Sequence, residues 1–289
     1  MPIHRLTIVG TGLIGASVGL ALRAQGFDGQ ILGWDKDPDQ LQMALNRGAI
    51  DLVAADPLEA AKCSDVILLS GPVLSILDWM DRLAPCLSAH QLVTDVGSVK
   101  HVVVERAHAL FSGPGQAGFL PGHPMAGKEV SGAVHAEAAL FVNAVWLFTR
   151  FAEHPLAAEW RAWVERFGCR ALQVDSRRHD EVCAWVSHLP QFVSTGLSAL
   201  LEHRFGESPD VRAVGGRALR EMTRLGSSPY SMWRDVALTN TEEIAEALSA
   251  LEQRLAHIRE NLRAPELRDE FDRANRFRSL PASNDNEQK

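Results

Sequence analysis

The sequence predicts an α/β protein, with a doubly wound parallel sheet over residues 1–174, an all-helical domain over residues 175–280 and a short tail at 281–289. Three observations carry this prediction. An apolar strand runs into a glycine fingerprint and a helix at residues 4–17. Strand and helix patterns then alternate to about residue 174, and beyond that point the strand signal stops.

The first unit, HRLTIVGTGLIGAS, places Leu6, Ile8 and Val9 directly before Gly10, Gly12 and Gly15. In this arrangement Gly10 permits a tight turn, Gly12 lets backbone approach a pyrophosphate, and Gly15 allows helix to lie close on strand. Leu13 and Ile14 open the helix, whose N-terminal N–H groups and positive dipole end suit phosphates. A second apolar run, QILGW, ends at Asp35, twenty residues after Gly15. A carboxylate there accepts hydrogen bonds from ribose hydroxyls and repels a 2′-phosphate, which favours NAD over NADP, although neighbouring Lys36 could contact a phosphate. Strand, glycines, helix, second strand and terminal acid together form the Rossmann-like dinucleotide-binding pattern.

The alternation continues as PDQLQMALNRG, DVILLS, VLSILDWMDRLAPCL, QLVTDV and VKHVVVERAHALF. Uninterrupted apolar strands such as DVILLS, separated by helices, read as a parallel sheet covered on both faces. Strands at GFLPGH, AVWLFT and RALQVD, with a helix over PLAAEWRAWVERFG, extend the domain to about residue 174. Long helices follow, over HDEVCAWVSHLPQFVSTGLSALLEHRF and TEEIAEALSALEQRLAHIRENL. In the latter, Ile244, Leu248, Leu251, Leu255, Ile258 and Leu262 step by fours and threes, and Thr239 with Glu242 reads as a capping box. Such a narrow seam needs another helix, either within the chain or across a dimer interface. The polar tail PASNDNEQK is expected to be disordered.

Composition narrows the function classes. The chain of 289 residues is 46% hydrophobic, but no apolar run approaches the ~20 residues of a membrane span. The start leads straight into a strand, so a cytoplasmic location is expected. Net charge is −7 and no basic block appears, which argues against nucleic acid or an anionic membrane as partner. Cys63, Cys86, Cys169 and Cys183 lie far apart without zinc-site spacing; they are expected to be reduced and mostly buried, and no metal is expected.

Ligands of an open parallel sheet bind beyond the carboxyl ends of its strands. QLVTDV is followed there by Ser98 and Lys100 at a helix start, and GFLP by a glycine-rich loop holding His123 and Glu129. A loop histidine beside a nicotinamide is suited to accept a hydroxyl proton while hydride leaves the same carbon, so His123 is the candidate base. In the helical region His188 and Gln191 share one helix face if Pro190 is accommodated, and His188 reads equally as a hydrogen-bonded core histidine. Arg224 and Arg234 flank a glycine- and serine-rich loop, where a guanidinium can clamp a carboxylate; for Arg234 an internal ion pair is the competing reading.

Five motifs, GTGLIGAS, DVGSVK, GHPMAGKEVSG, HDEVCAWVSHLPQ and TRLGSSPYSMWRD, occur in that order, and together they resemble the prephenate and arogenate dehydrogenases of tyrosine biosynthesis, also called cyclohexadienyl dehydrogenases, over residues 5–262. The resemblance implies an NAD-dependent oxidative decarboxylation of a cyclohexadiene carboxylate, on a Rossmann-like domain joined to a helical dimerisation domain, in a homodimer. It implies that His123 deprotonates the ring hydroxyl with Ser98 assisting and that Arg224 binds carboxylate. Glu129 then forms a polar wall near the substrate side chain, with Trp233 packing beside it. Gln191 stands where some members have histidine; it can donate a hydrogen bond but carries no charge, which leaves the side-chain preference open. Because acidic Glu129 suits the ammonium that arogenate presents in place of the keto group of prephenate, arogenate or dual use is expected. No mutase-like extension or regulatory domain is recognised, and a monofunctional enzyme is expected. Two rival readings are a dehydrogenase of small hydroxy acids and a non-catalytic NAD(H) sensor. The first family uses a helical-domain lysine, and residues 175–205 contain none.

Overall fold

A computed structural model describes residues 2–280. The expected disordered tail at 281–289 lies outside the described residues. Nine strands and thirteen α-helices are described. Six strands form one sheet in the order β3 (Leu52–Val53), β2 (Gln30–Trp34), β1 (Arg5–Val9), β4 (Val66–Leu69), β5 (Leu92–Asp95) and β6 (Gly118–Leu120). Every neighbouring pair is parallel. Strand order reverses between β1 and β4, so the crevice at their carboxyl ends is where such a sheet binds ligands.

Helices α1 (Leu13–Ala24), α2 (Pro38–Asn46), α3 (Pro57–Lys62), α4 (Val73–Leu83) and α5 (His101–Phe111) connect the strands. Leu6, Ile8, Ile31, Val66, Leu68 and Leu92 are buried among Val18, Ala21 and Leu22 of α1, which accounts for the unbroken apolar strands. Asp37 and Asp56 start α2 and α3 by accepting hydrogen bonds from first-turn N–H groups, with a proline at the first helical position of each.

The GFLPGH segment is two strands rather than one. Pro121 lacks the donor a continuous ladder needs, and the chain leaves β6 to begin β7 (Gly122–Pro124) in a second sheet. That sheet is β7–β8–β9, with β8 (Val145–Thr149) antiparallel to β7 and parallel to β9 (Arg170–Val174). Helix α6 (Pro155–Arg166) covers it, and Trp146, Trp160, Phe141 and Phe167 fill the space between. The last three strands therefore add a separate sheet instead of widening the first.

From Ser176 onward the chain is helical. Asp175 caps α7 (Ser176–Cys183), a π-helical turn spans Ala184–His188, and α8 (Leu189–Phe205) follows with Pro190 in its first turn. A proline cannot donate to the preceding turn, so the ladder widens there and the helix continues. Short helices α9 (Pro209–Val214) and α10 (Arg217–Thr223) lead to α11 (Tyr230–Thr239). Asp235 of α11 is buried and accepts the N–H of Leu74 at 3.2 Å, which ties α11 to the start of α4. The chain divides into two compact units, residues through Glu243 and residues from Ile244 onward. The strand-to-helix change at 174–176 thus lies inside the first unit.

Helix α12 (Thr241–Glu260) precedes α13 (Glu266–Ser279). No capping box forms, because the Thr239 hydroxyl donates to the Asp235 carbonyl at 2.7 Å within α11. Glu270 of α13 holds Arg254 and Arg273 at 2.9 and 2.8 Å. Of the heptad positions, Leu248, Leu255 and Leu262 are exposed. Among the described residues no helix is long and apolar enough to cross a membrane. The four cysteines are free; Cys169 and Cys183 are buried, Cys86 is half-buried and Cys63, the C-cap of α3, is exposed, so only two of the four meet the expectation of mostly buried thiols.

Candidate active site

At the switch point the fingerprint glycines have distinct surroundings. Gly10 adopts φ +100°, and a Cβ on it would meet the Ser70 carbonyl oxygen at 2.1 Å; a Cβ on Gly15 would meet the Gly10 carbonyl oxygen at 2.0 Å. Neither position tolerates a side chain. A Cβ on Gly12 would face open space, and this is where a pyrophosphate approaches backbone. No side chain caps α1 and no acidic residue stands in its first turn, so the N–H groups opened by Leu13 and Ile14 remain for an anion. Asp35 accepts the Thr11 N–H at 2.7 Å and the Asp37 N–H at 3.0 Å, which anchors the carboxylate beside the glycine turn with further lone pairs for ribose hydroxyls. This cradle fits NAD.

The carboxyl ends of β5 and β6 hold a buried polar network. Asp95 and Lys100 form a fully buried ion pair, and Asp95 also accepts the N–H groups of Gly97 at 2.9 Å and Gly122 at 3.1 Å. The second of these bonds draws β7 across the end of β5, so that the next residue, His123, lies at the sheet's ligand edge. The chain between β5 and α5 turns at Gly97 and carries half-buried Ser98.

His123 is buried, and its Nδ1 lies 2.9 Å from His179 Nε2. His179 Nδ1 lies 2.7 Å from Asp180 Oδ1. Asp180 in turn accepts the N–H of Lys100 at 2.7 Å and of His101 at 2.8 Å, capping α5 from another helix. Burial, then the neighbouring His179, Lys100 and His188, hold His123 well below the ordinary imidazole value. Burial also lowers His179, opposed by its hydrogen bond to Asp180. Cys183 Sγ lies 3.7 Å from His179 Nε2, and burial pushes its thiol up to about 12. The donor atoms of His123, His179 and Cys183 lie within 4.8 Å of one another, close enough to surround a cation, but the two imidazole nitrogens already bond to each other.

The remaining predicted residues surround this network in different roles. His188 is fully buried, with Nδ1 facing the Asn240 amide at 3.3 Å and the Ser98 backbone beside it, and burial lowers it to about 4. Trp233 meets it edge to face at 5.9 Å. Gln191 donates its amide to the Leu225 carbonyl at 2.7 Å and to Thr195 Oγ at 3.1 Å, so its Nε2 anchors the loop that carries Arg224. Arg224 pairs with Glu129, and Arg234 forks onto Asp235 at 2.9 and 2.6 Å. Ser98 is not the partner of His123 Nδ1; His179 is.

Sequence reading missed His179, Asp180, Asp95 and Asn240 as site residues and left Lys100 without a role. The one available signal was the adjacent His-Asp pair four residues past the α7 cap, a placement that points two polar side chains into the protein.

Residues 18–167 match the family described as "Prephenate dehydrogenase, nucleotide-binding domain", and residues 175–276 match "Prephenate dehydrogenase, dimerization domain". A prephenate dehydrogenase of Lactococcus lactis subsp. cremoris is 31% identical over 255 residues, covering 88% of this chain and 70% of that one. The chain belongs to the prephenate dehydrogenase family. A crystal structure of the A. aeolicus prephenate dehydrogenase in complex with hydroxyphenyl propionate and NAD+ superposes with TM-score 0.85 at 29% identity, covering 96% of this family member and 98% of the other chain. The Synechocystis arogenate dehydrogenase superposes with TM-score 0.75 at 29% identity over 95% and 98%. The first family match begins at residue 18, past the glycine fingerprint, so the assignment of the cradle rests on its geometry.

Proposed function

We propose that this chain catalyses the NAD-dependent oxidative decarboxylation of prephenate, arogenate or both, with His123 as the base. The observation that carries the reading is a buried, neutral histidine at the carboxyl edge of a dinucleotide-binding sheet, in a chain with both family domains. NAD, when bound, accepts the hydride from the ring carbon bearing the hydroxyl. His123 takes the hydroxyl proton as that hydride departs. The bond from ring to carboxylate then breaks, carbon dioxide leaves, and the electron pair completes the aromatic ring. The proton returns from His123 to the phenolic oxygen, so none is gained or lost.

Arg224 binds a substrate carboxylate bidentately once Glu129 releases it. Glu129, then free, faces the substrate side chain and suits the ammonium of arogenate. His188 and Trp233 form the packed wall behind the ring, Gln191 sets the Arg224 loop, and Ser98 lines the site from the β5–α5 turn. We divide the chain functionally at 174/175, and we assign the exposed apolar positions of the helical region, including Trp185, Val186 and Leu255, to a homodimer interface.

The test is absorbance at 340 nm with prephenate and arogenate, each with NAD and NADP, on the natural chain and on His123→Asn. Turnover with NAD is expected on at least one substrate, and the variant should lose roughly 10²–10⁴-fold in kcat. No turnover on either substrate by the natural chain would refute the function, and near-normal kcat in the variant would refute the role of His123.

A further inference from the structure

We infer that His179 and Asp180 are positioning residues that fix the tautomer of His123, so that Nε2, and not Nδ1, is the nitrogen that receives the hydroxyl proton. The inference rests on the reading of His123 as the base and adds which atom acts and what selects it.

The direction of each hydrogen bond follows from the one before it. As a carboxylate, Asp180 can only accept, and it already accepts the N–H groups of Lys100 and His101 at the start of α5, where the helix dipole favours negative charge. His179 Nδ1, 2.7 Å away, must therefore carry a proton and donate it. A neutral imidazole has one N–H, so His179 Nε2 presents a lone pair. The nitrogen 2.9 Å from that lone pair is His123 Nδ1, which must then be the donor. This leaves the proton of neutral His123 on Nδ1 and the lone pair on Nε2.

The opposite arrangement would require a doubly protonated His179 to donate to His123. The groups facing the pair decide against it. His179 is packed against Lys100, Asp95, Asp180 and Cys183, and His123 against His179, Lys100 and His188. Burial and the Lys100 ammonium disfavour a charged His179, and the two carboxylates oppose them; on balance it lies below the ordinary imidazole value. Cys183, held as a thiol, adds no charge. The start of α5, Asp180, His179 and His123 thus form one directed chain, in which a helix N-terminus sets the tautomer of a base on another strand. This is the logic by which a buried carboxylate orients a catalytic imidazole, with a second imidazole inserted between them.

The test uses two-bond proton–nitrogen NMR correlations of the full chain with nitrogen-15 histidine, at a pH where the imidazoles are neutral, with the His123 signals assigned from the spectrum of His123→Asn. The natural chain should show a protonated Nδ1 and a bare Nε2 on His123. His179→Leu removes the acceptor and should mix the two tautomers. Its kcat should fall by about 10²-fold, within the contribution of a general base, with KM for NAD unchanged. His179→Gln, whose amide oxygen can accept the Nδ1–H, should keep the natural tautomer and recover most of kcat. If His179→Leu does not fold, Asp180→Asn keeps an acceptor oxygen for the α5 N–H groups while loosening the hold on His179 Nδ1, and should mix the tautomers in the same way. A protonated Nε2 on His123 in the natural chain, or an unchanged tautomer in the folded variant, would overturn the inference. Full activity of His123→Asn would instead overturn the base assignment and leave the spectrum of the natural chain as described.

Discussion

Replacing Lys100 with methionine tests the site from beneath. Its side chain is 1% exposed and that of Asp95 is 0% exposed, so Lys100→Met leaves a carboxylate in the protein interior with only the N–H groups of Gly97 and Gly122 for compensation. Breaking one side of a buried ion pair costs about 3–5 kcal/mol, a large part of the ~5–15 kcal/mol that holds a domain folded. At roughly 2–4 °C per kcal/mol, the melting temperature should fall by about 6–20 °C. Lys100→Met combined with Asp95→Asn removes the stranded charge and should recover more than half of the loss. The same substitution acts on catalysis with a defined sign. Lys100 is one of the groups that lower His123, and the base must be unprotonated to act, so activity is lost as pH falls through the His123 pKa. Removing the cation raises that pKa and should move the acidic limb of kcat/KM to higher pH, while burial, the larger cause, still keeps it below about 6.5. Urea unfolding and a pH–rate profile read the two effects separately. A loss below 1 kcal/mol, or a limb that does not move, would refute the reasoning.

Four further outcomes follow from the geometry. Asp35→Ser removes the carboxylate beside the glycine turn and should narrow the preference for NAD in kcat/KM, whereas equal use of NAD and NADP by the natural chain would refute the assignment of Asp35. Arg224→Ala should weaken binding of the cyclohexadiene by a few kcal/mol with NAD binding intact. Glu129→Gln frees the arginine from a pair that is 59% and 27% exposed, worth only ~0.2–1 kcal/mol, and should lower KM for prephenate about 1.4–5-fold; a raised KM for prephenate would mean that Glu129 assists substrate instead of competing with it. Leu255→Glu places a charge in the heptad row and should shift the mass measured by light scattering at micromolar concentration from dimer to monomer; an unchanged mass would remove that row from the interface.

The sheet was legible because its determinants are local. Apolar runs bounded by turns, and glycines whose spacing matches a strand, turn and helix, state their roles within a few residues, and the structure gives Gly10, Gly12 and Gly15 the surroundings that spacing requires. The division of GFLPGH between two sheets was less legible, because a proline marks a break but does not say which strand the chain joins next. The capping box failed for a related reason: Thr239 met a carbonyl of its own helix before it met the next one. His123 could be chosen from its place beyond a strand of the sheet, although it lies in β7 and not in the expected glycine-rich loop, but its partner could not. His179 is 56 positions away on α7 with Asp180 beside it, and Asp95 and Lys100 reach the same spot from the end of β5 and the start of α5. Burial is a property of that convergence, and burial together with the neighbouring charges is what lowers His123 and makes each hydrogen bond in the chain directional. The residue types of a dehydrogenase are written along the chain, whereas the state of its base depends on which distant groups exclude water from it, and only the tertiary structure decides that.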